Sequence, residues 1–457
     1  MEESRDLAHS RPEHELTDRQ ITLDILDRLT PGPQFRAMAI VLGVLFVLGA
    51  IAFAIRLTSV GPDHRISWGY LATALAYLLA TALPAPVVAI GLSFTKAAWR
   101  WPLIRISQLF SVASLMSLLL YVPLVSTLPP LAGRRTLWFD WPFAPWLWDA
   151  VAMLATVALG LVILYLSTLP DFAAARDLLP STRRRFYARL ALNWQGTPRQ
   201  WTILRVGSSF LGAFYLMLVV LVHLVIPLDF AMTLVPGWIS SVFPAISLIG
   251  ALQAGLAATI VAMYVWRRWG GLERYILVDH FREPSKILLA LCLLWFYPRW
   301  ADFLTRWYGR TSREQMLLLF LEFGPYFAPW LLAFTLSFVV PLFALIQYRV
   351  RNTVLGPTLV ALSVLAGNFF ERIRHYVAAF SIEETTAHQL TQIPPTHLPD
   401  GFDVLMVLGT LAGAALLYVA AAKIVPPMSI WQLKQGALLH VHRRFLSGKY
   451  TVLGKPD

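Results

Sequence analysis

Polar and charged positions divide this sequence into long apolar runs joined by short polar clusters. Ten such runs can be drawn, at about 36–57, 68–94, 104–128, 146–169, 203–227, 238–266, 286–304, 324–348, 354–379 and 403–425. Each approaches or exceeds the roughly 20 residues that cross a bilayer as a helix. Backbone polar groups in lipid must be satisfied within the segment, so the runs are predicted to be helices. The expectation is an all-α polytopic membrane protein with about ten transmembrane helices. Residues 1–30 are polar and lack the short apolar stretch of a cleaved signal peptide.

Composition agrees with the pattern. The chain is 57% hydrophobic and 14% charged, against about a quarter charged in water-soluble domains. The formal charge of +12 is spread over many loops, which argues against nucleic acid as a partner. Most of the 38 Lys and Arg residues lie at the N-terminus, in alternate loops and at the C-terminus. The positive-inside rule therefore predicts both termini to be cytoplasmic. Cys292 is the single cysteine, so this chain by itself can hold no iron–sulfur cluster and form no internal disulfide.

A repeat refines the architecture. "FAPWL" occurs at Phe143–Leu147 and again at Phe327–Leu331, opening the fourth and eighth spans. "RWPLIR" at Arg100–Arg105 and "REPSK" at Arg282–Lys286 stand before the third and seventh at nearly the same offset. This predicts two four-helix bundles, spans 2–5 and 6–9, with spans 1 and 10 peripheral. The corresponding divisions are a cytoplasmic segment 1–35, a first span and loop 36–67, bundles 68–237 and 238–402, and a last span with cytoplasmic tail 403–457. Parallel repeats of this kind place functional sites at their interface. "GTLAG" at Gly409–Gly413 is a small-residue pattern that lets helices approach closely.

Ionisable residues at membrane depth are costly and mark candidate sites. Toward the expected outer face stand Asp149, His223 and Asp229, and Glu371, Arg372, Arg374 and His375 within "GNFFERIRHYV". Toward the inner face stand Asp171, Arg176 and Asp177 in "PDFAAARD". Asp149 has Ala333 at the equivalent position of the repeat, which suggests a role specific to one half. Each also has a structural reading. The two outer acids can cap helix ends, Glu371 and Arg372 can be locked in ion pairs with other helices, and "PDFAAARD" can simply begin a helix. Pro227 removes the helical partner of the His223 carbonyl and predicts a kink there. His223 and His375 share a depth, but the regular histidine spacing of membrane haem sites is absent, so no haem is assigned to this chain.

The sequence resembles the NrfD/PsrC polysulfide-reductase-type membrane subunits, closest to the subunit of bacterial alternative complex III called ActC-like. The resemblance rests on blocks in order: "AAWRWPLIR", "WLWDAVAM", "LPDFAAARD", "VHLVIPLDFAMTLVPGWISSVFPAISLIGALQAGLA", "HFREPSKILL", "WYGRTSREQ", "GPYF", "NFFERI" and "PPMSIWQLK". It implies a subunit of a respiratory complex in a bacterial cytoplasmic membrane. Such a subunit binds menaquinol or ubiquinol near the outer face beside iron–sulfur and haem-c partner subunits and other membrane subunits. It further implies that Asp149, Asp229 and His223 form the quinol and proton site, and that Glu371, Arg372, Asp171, Arg176 and Asp177 relay protons or form structural ion pairs. Two departures stand out. "ATALPAPVVAI" and "YVPLVSTLPPLAGRR" both lack the histidine that the family usually carries there, which leaves open a diverged structural or proton-conducting anchor without a quinone site. A secondary transporter is the remaining alternative.

Overall fold

The structure is a computed structural model that describes residues 17–97, 99–132, 137–445 and 448–453. Residues 1–16 of the expected cytoplasmic segment, Gly133–Arg135 of the third-span motif and the last four residues of the tail lie outside the described residues.

A short helix α1 (Asp18–Asp27) precedes the first span, α2 (Pro33–Ser59). The second span is broken by the Pro84/Pro86 pair into α3 (Gly69–Thr81) and α4 (Ala85–Phe94), because proline removes a helical hydrogen bond and crowds the preceding turn. The third comprises α5 (Trp101–Gln108), α6 (Phe110–Ala113) and α7 (Leu115–Val125). Then follow α8 (Trp146–Leu178), the short α9 (Ser181–Leu190) and α10 (Pro198–Phe230). Thr197 and Gln200 form a capping box at the start of α10, with Pro198 at its first position.

The second half opens with α11 (Phe243–Trp269) and α12 (Asp279–Gly309). The eighth span is interrupted: α13 (Ser312–Leu318), a π-helical turn Leu319–Phe323, α14 (Phe327–Phe334), a second π turn Thr335–Val339, and α15 (Val340–Ile346). After α16 (Tyr348–Arg351), α17 (Leu355–Arg372) continues through a third π turn, Ile373–Val377, into α18 (Ala378–Phe380). The last span, α19 (Gly401–Ala421), leads to α20 (Ile430–Leu439) and a small antiparallel hairpin, β1 (His440–Phe445) with β2 (Gly448–Leu453).

Among the described residues, nine helical segments are long and apolar enough to cross a membrane. They correspond to the expected spans 1–8 and 10. The expected ninth is helical from Leu355 to Phe380 but carries Glu371, Arg372, Arg374 and His375, which lowers its hydropathy. These residues are buried, so the charges sit inside protein. The chain is a multi-pass, all-α membrane protein.

The packing follows the sequence order. Helix α8 packs on α10, and α5 on α4; in the second half α11 packs on α12 and α17, and α14 and α15 on α17. Helices α3, α4 and α10 meet α11 across the middle. Among the spans, α3–α4 and α11 are the most buried, whereas α2 exposes most of its apolar surface. Contrary to the reading of "PDFAAARD" as a helix start, Pro170 lies inside α8, which runs on to Leu178. The two "FAPWL" copies also differ: α8 begins at Trp146 after Phe143 adopts a φ of 63°, whereas α14 begins at Phe327 itself.

The first and last spans are joined by glycine. A Cβ on Gly409 would meet the Gly49 Cα at 2.6 Å, and one on Gly413 would meet the Phe46 ring at 2.6 Å. Gly409→Leu is therefore expected to push α2 off α19 and cost about 1–3 kcal/mol. Thermal denaturation in detergent would measure this, with Gly43→Leu as the control, since nothing lies within 4 Å of a Cβ at Gly43. Equal melting of the two variants would rule out the contact.

Candidate functional site

Asp149 stands in the first turn of α8, and Asp229 in the last turn of α10. These helices are neighbours, and both acids are fully buried. Their carboxyl groups interact electrostatically, and neither Asp149 oxygen has a hydrogen-bond donor beside it among the described residues. Two buried carboxyl groups acting on one another do not readily both stay ionised, so the pair is a place to hold and exchange a proton. Tyr121 of α7 lies in the electrostatic field of both acids and donates its hydroxyl to the Trp146 carbonyl at 2.8 Å. The tyrosine thereby ties the third span to the helix start that carries Asp149.

His223 turns elsewhere. Its Nδ1 lies 2.8 Å from the Val219 carbonyl one turn back. The ring also faces the Leu79 backbone of α3 and is within electrostatic reach of Arg372 in the second half. The three residues grouped by the sequence thus divide into an acid pair inside the first half and a histidine at the boundary between halves.

Arg372 donates to the Ser247 hydroxyl of α11 at 3.0 Å, while its neighbour Glu371 accepts from Arg374 at 2.8 Å and faces Arg299 of α12 at 3.9 Å. Adjacent helical positions diverge, which is why the two take different partners. The π turn at Ile373–Val377 carries Arg374 and His375, and the one at Leu319–Phe323 carries Glu322. Such turns often re-aim side chains at functional positions. Glu322 faces Arg299, Arg306 and Arg374 at 3.5, 3.6 and 3.7 Å. Asp302 pairs with Arg306 and accepts from Ser240 at 2.9 Å. His375 packs its ring against Trp238 and Phe243. A cavity of about 10 Å³ touches Ser247, Asn368, Glu371, Arg372 and His375, close to the smallest space that holds one water.

The two acids of "PDFAAARD" divide sharply. Asp171 forms a fully buried pair with Arg105 at 2.8 Å. Its second oxygen accepts from the Ile430 and Trp431 amides at 3.0 and 3.3 Å, the start of α20. Arg176, half-buried, pairs with the exposed Asp177 at 2.7 Å. Sequence reasoning missed Arg105 as the partner of Asp171, and missed Arg299, Asp302, Arg306 and Glu322 entirely. The i, i+3 and i, i+7 spacing of "RWADFLTR" was the available signal for the last group.

Among the described residues no set of three or more His, Cys, Asp or Glu side chains is arranged to hold a metal ion. No sequence model of a known protein family matches the chain, and no curated protein matches it significantly.

Proposed function

We propose that this chain is the proton-handling membrane subunit of a quinol-oxidising respiratory complex. The observation that carries the reading is the buried Asp149–Asp229 pair, contributed by two different spans. Quinol oxidation releases two electrons and two protons. The electrons pass to iron–sulfur or haem groups of partner subunits, since the single cysteine of this chain can hold no cluster. A carboxyl pair holding one proton can take the two protons in turn as quinol is oxidised beside it, accepting one and passing one on before it accepts the next. The charge distribution supports a bacterial cytoplasmic membrane orientation with this pair near the outer face.

Asp149→Asn keeps the shape of the side chain but cannot take up a proton. Quinol oxidation by the assembled complex is expected to fall about a hundredfold or more, the lower range for loss of a proton acceptor. Assembly, followed by native electrophoresis, is expected to persist. Turnover at the wild-type rate would remove the role.

The missing histidines at "ATALPAPVVAI" and "YVPLVSTLPPLAGRR" favour a second reading, a proton-conducting anchor with no quinone site beside the pair. That reading expects Asp149→Asn to abolish proton movement while quinol binding to the complex is unaltered.

A further inference from the structure

A cavity of about 730 Å³ lies away from the acid pair, walled by α14, α17 and α19. This is within the range of pockets that enclose a small ligand. Its walls are apolar: Ala328 and Pro329, Phe369 and Phe370, Val404 and Leu408. One end is polar, formed by Tyr70, Tyr326, His397 and Asp403.

The polar end is built rather than incidental. The Tyr70 hydroxyl donates to the His397 carbonyl at 2.9 Å, fixing the loop before α19 against α3. Asp403 is buried, accepts from the Asp400 amide at 3.1 Å and faces Arg56 of α2 at 3.3 Å. Arg56 also pairs with Asp400, so its single charge is shared between two carboxylates, which further disfavours an anionic group in the cavity. His397 Nε2 lies 3.7 Å from the Asp403 carboxylate, too far for a hydrogen bond, and is shielded from solvent without a partner of its own. Burial holds the His397 imidazole below its ordinary range, so the ring is neutral near pH 7 and offers a hydrogen bond without a charge.

The lining contains no lysine or arginine, so an anionic headgroup would find no counter-charge there. The mouth is bordered by Ala328, Leu398, Val404 and Leu408, all exposed. The exposed lining is thus mainly apolar, with Thr396 and Pro399 of the loop before α19 beside it, which suits the apolar body of a ligand.

We infer that this cavity binds an uncharged amphipathic lipid, its hydroxyl or carbonyl head toward His397 and its apolar body between α14, α17 and α19. A neutral head satisfies the unpartnered His397 nitrogen, and the aromatic and proline walls suit a ring or a branched chain. Quinones and acylglycerols share this chemistry. The site is separate from the Asp149–Asp229 pair and does not depend on that pair's function.

The test uses the full chain, delipidated and placed in nanodiscs of dimyristoylphosphatidylcholine. Decylubiquinone, dioctanoylglycerol and dimyristoylphosphatidylglycerol are added separately, and bound lipid is counted by native mass spectrometry. With at least one of the two neutral lipids an adduct that both cavity variants weaken is expected, in addition to any quinone held beside Asp149 and Asp229, and weaker binding with the anionic one. Which neutral lipid binds names the source. Ala328→Trp, which fills the mouth from an exposed position, and His397→Leu, which removes the hydrogen bond, are each expected to weaken that binding about tenfold. Asp149→Asn is expected to leave it unchanged, so failure here is distinct from failure of the proton role. No adduct with either neutral lipid, equal binding of the anionic lipid, or undiminished binding in either cavity variant overturns the inference.

Discussion

Asp171→Leu alone is expected to destabilise the protein by about 3–5 kcal/mol, whereas Arg105→Met combined with Asp171→Leu is expected to recover most of that loss. Both side chains are fully buried and 2.8 Å apart. Removing the acid leaves a guanidinium inside the helix packing with only carbonyl partners, Ser167 at 2.8 Å and Leu164 at 3.4 Å. Removing both charges leaves an apolar contact of similar volume. The recovery is not complete, because Asp171 also accepts from the first amides of α20. Loss of that helix cap keeps about 1 kcal/mol of the penalty. Reversible denaturation in mixed micelles of the two single variants and the double variant would measure the cycle. A double variant as unstable as Asp171→Leu would show that the cap, and not the ion pair, dominates.

This pair also shows where the sequence was legible and where it was not. The apolar runs located the spans because the bilayer imposes a length and a polarity on each. The small residues at Gly409 announced a close contact, although not its partner Gly49, because a short motif names one face only. Asp149 and Asp229 could be placed at one level, since alternating spans put the start of one beside the end of another. The "RWPLIR" motif marks Arg105 only as a basic residue near a span end, whereas it is fully buried. Orientation counting treats every arginine as solvated, and a paired arginine defeats it.

Glu322 falls outside the expected spans for a related reason, whereas Asp302 lies within the expected 286–304 span, near its end, where an acid reads as a boundary residue. A hydropathy reading stops a span where charges begin, at 304 and 324 here. Charges that pair with one another remain buried, so α12 runs on to Gly309 and a π turn carries Glu322 inward. The cavity near His397 was invisible because its walls come from spans 2, 8, 9 and 10, which no local pattern connects. The division of "PDFAAARD" failed at Pro170, where a proline usually read as a first turn sits within a helix. Pro170 frees the Leu166 carbonyl, while Arg105 bonds the neighbouring Leu164 and Ser167 carbonyls and so ties the same turn to α5.

Glu322→Gln is the second substitution expected to have a large effect, again about 3–5 kcal/mol of stability. The cluster around it contains four arginines, Arg299, Arg306, Arg372 and Arg374, all buried, and the acids Asp302, Glu322 and Glu371. Arg299, Arg306 and Arg374 all face Glu322 within 4 Å, so its neutralisation removes the charge that three cations share. Glu371 cannot fully replace it, being already bonded to Arg374 at 2.8 Å. The three cations come from α12 and the π turn of the ninth span, so their repulsion would separate exactly those elements that the acid now joins. Removing one cation as well, in Glu322→Gln with Arg306→Gln, is expected to restore part of the stability. Thermal melting of both variants in the same detergent checks this. Should Glu322→Gln melt with the wild type, the arginines would have to be compensated by other groups, and the acid would be free to serve as a proton carrier instead of a lock.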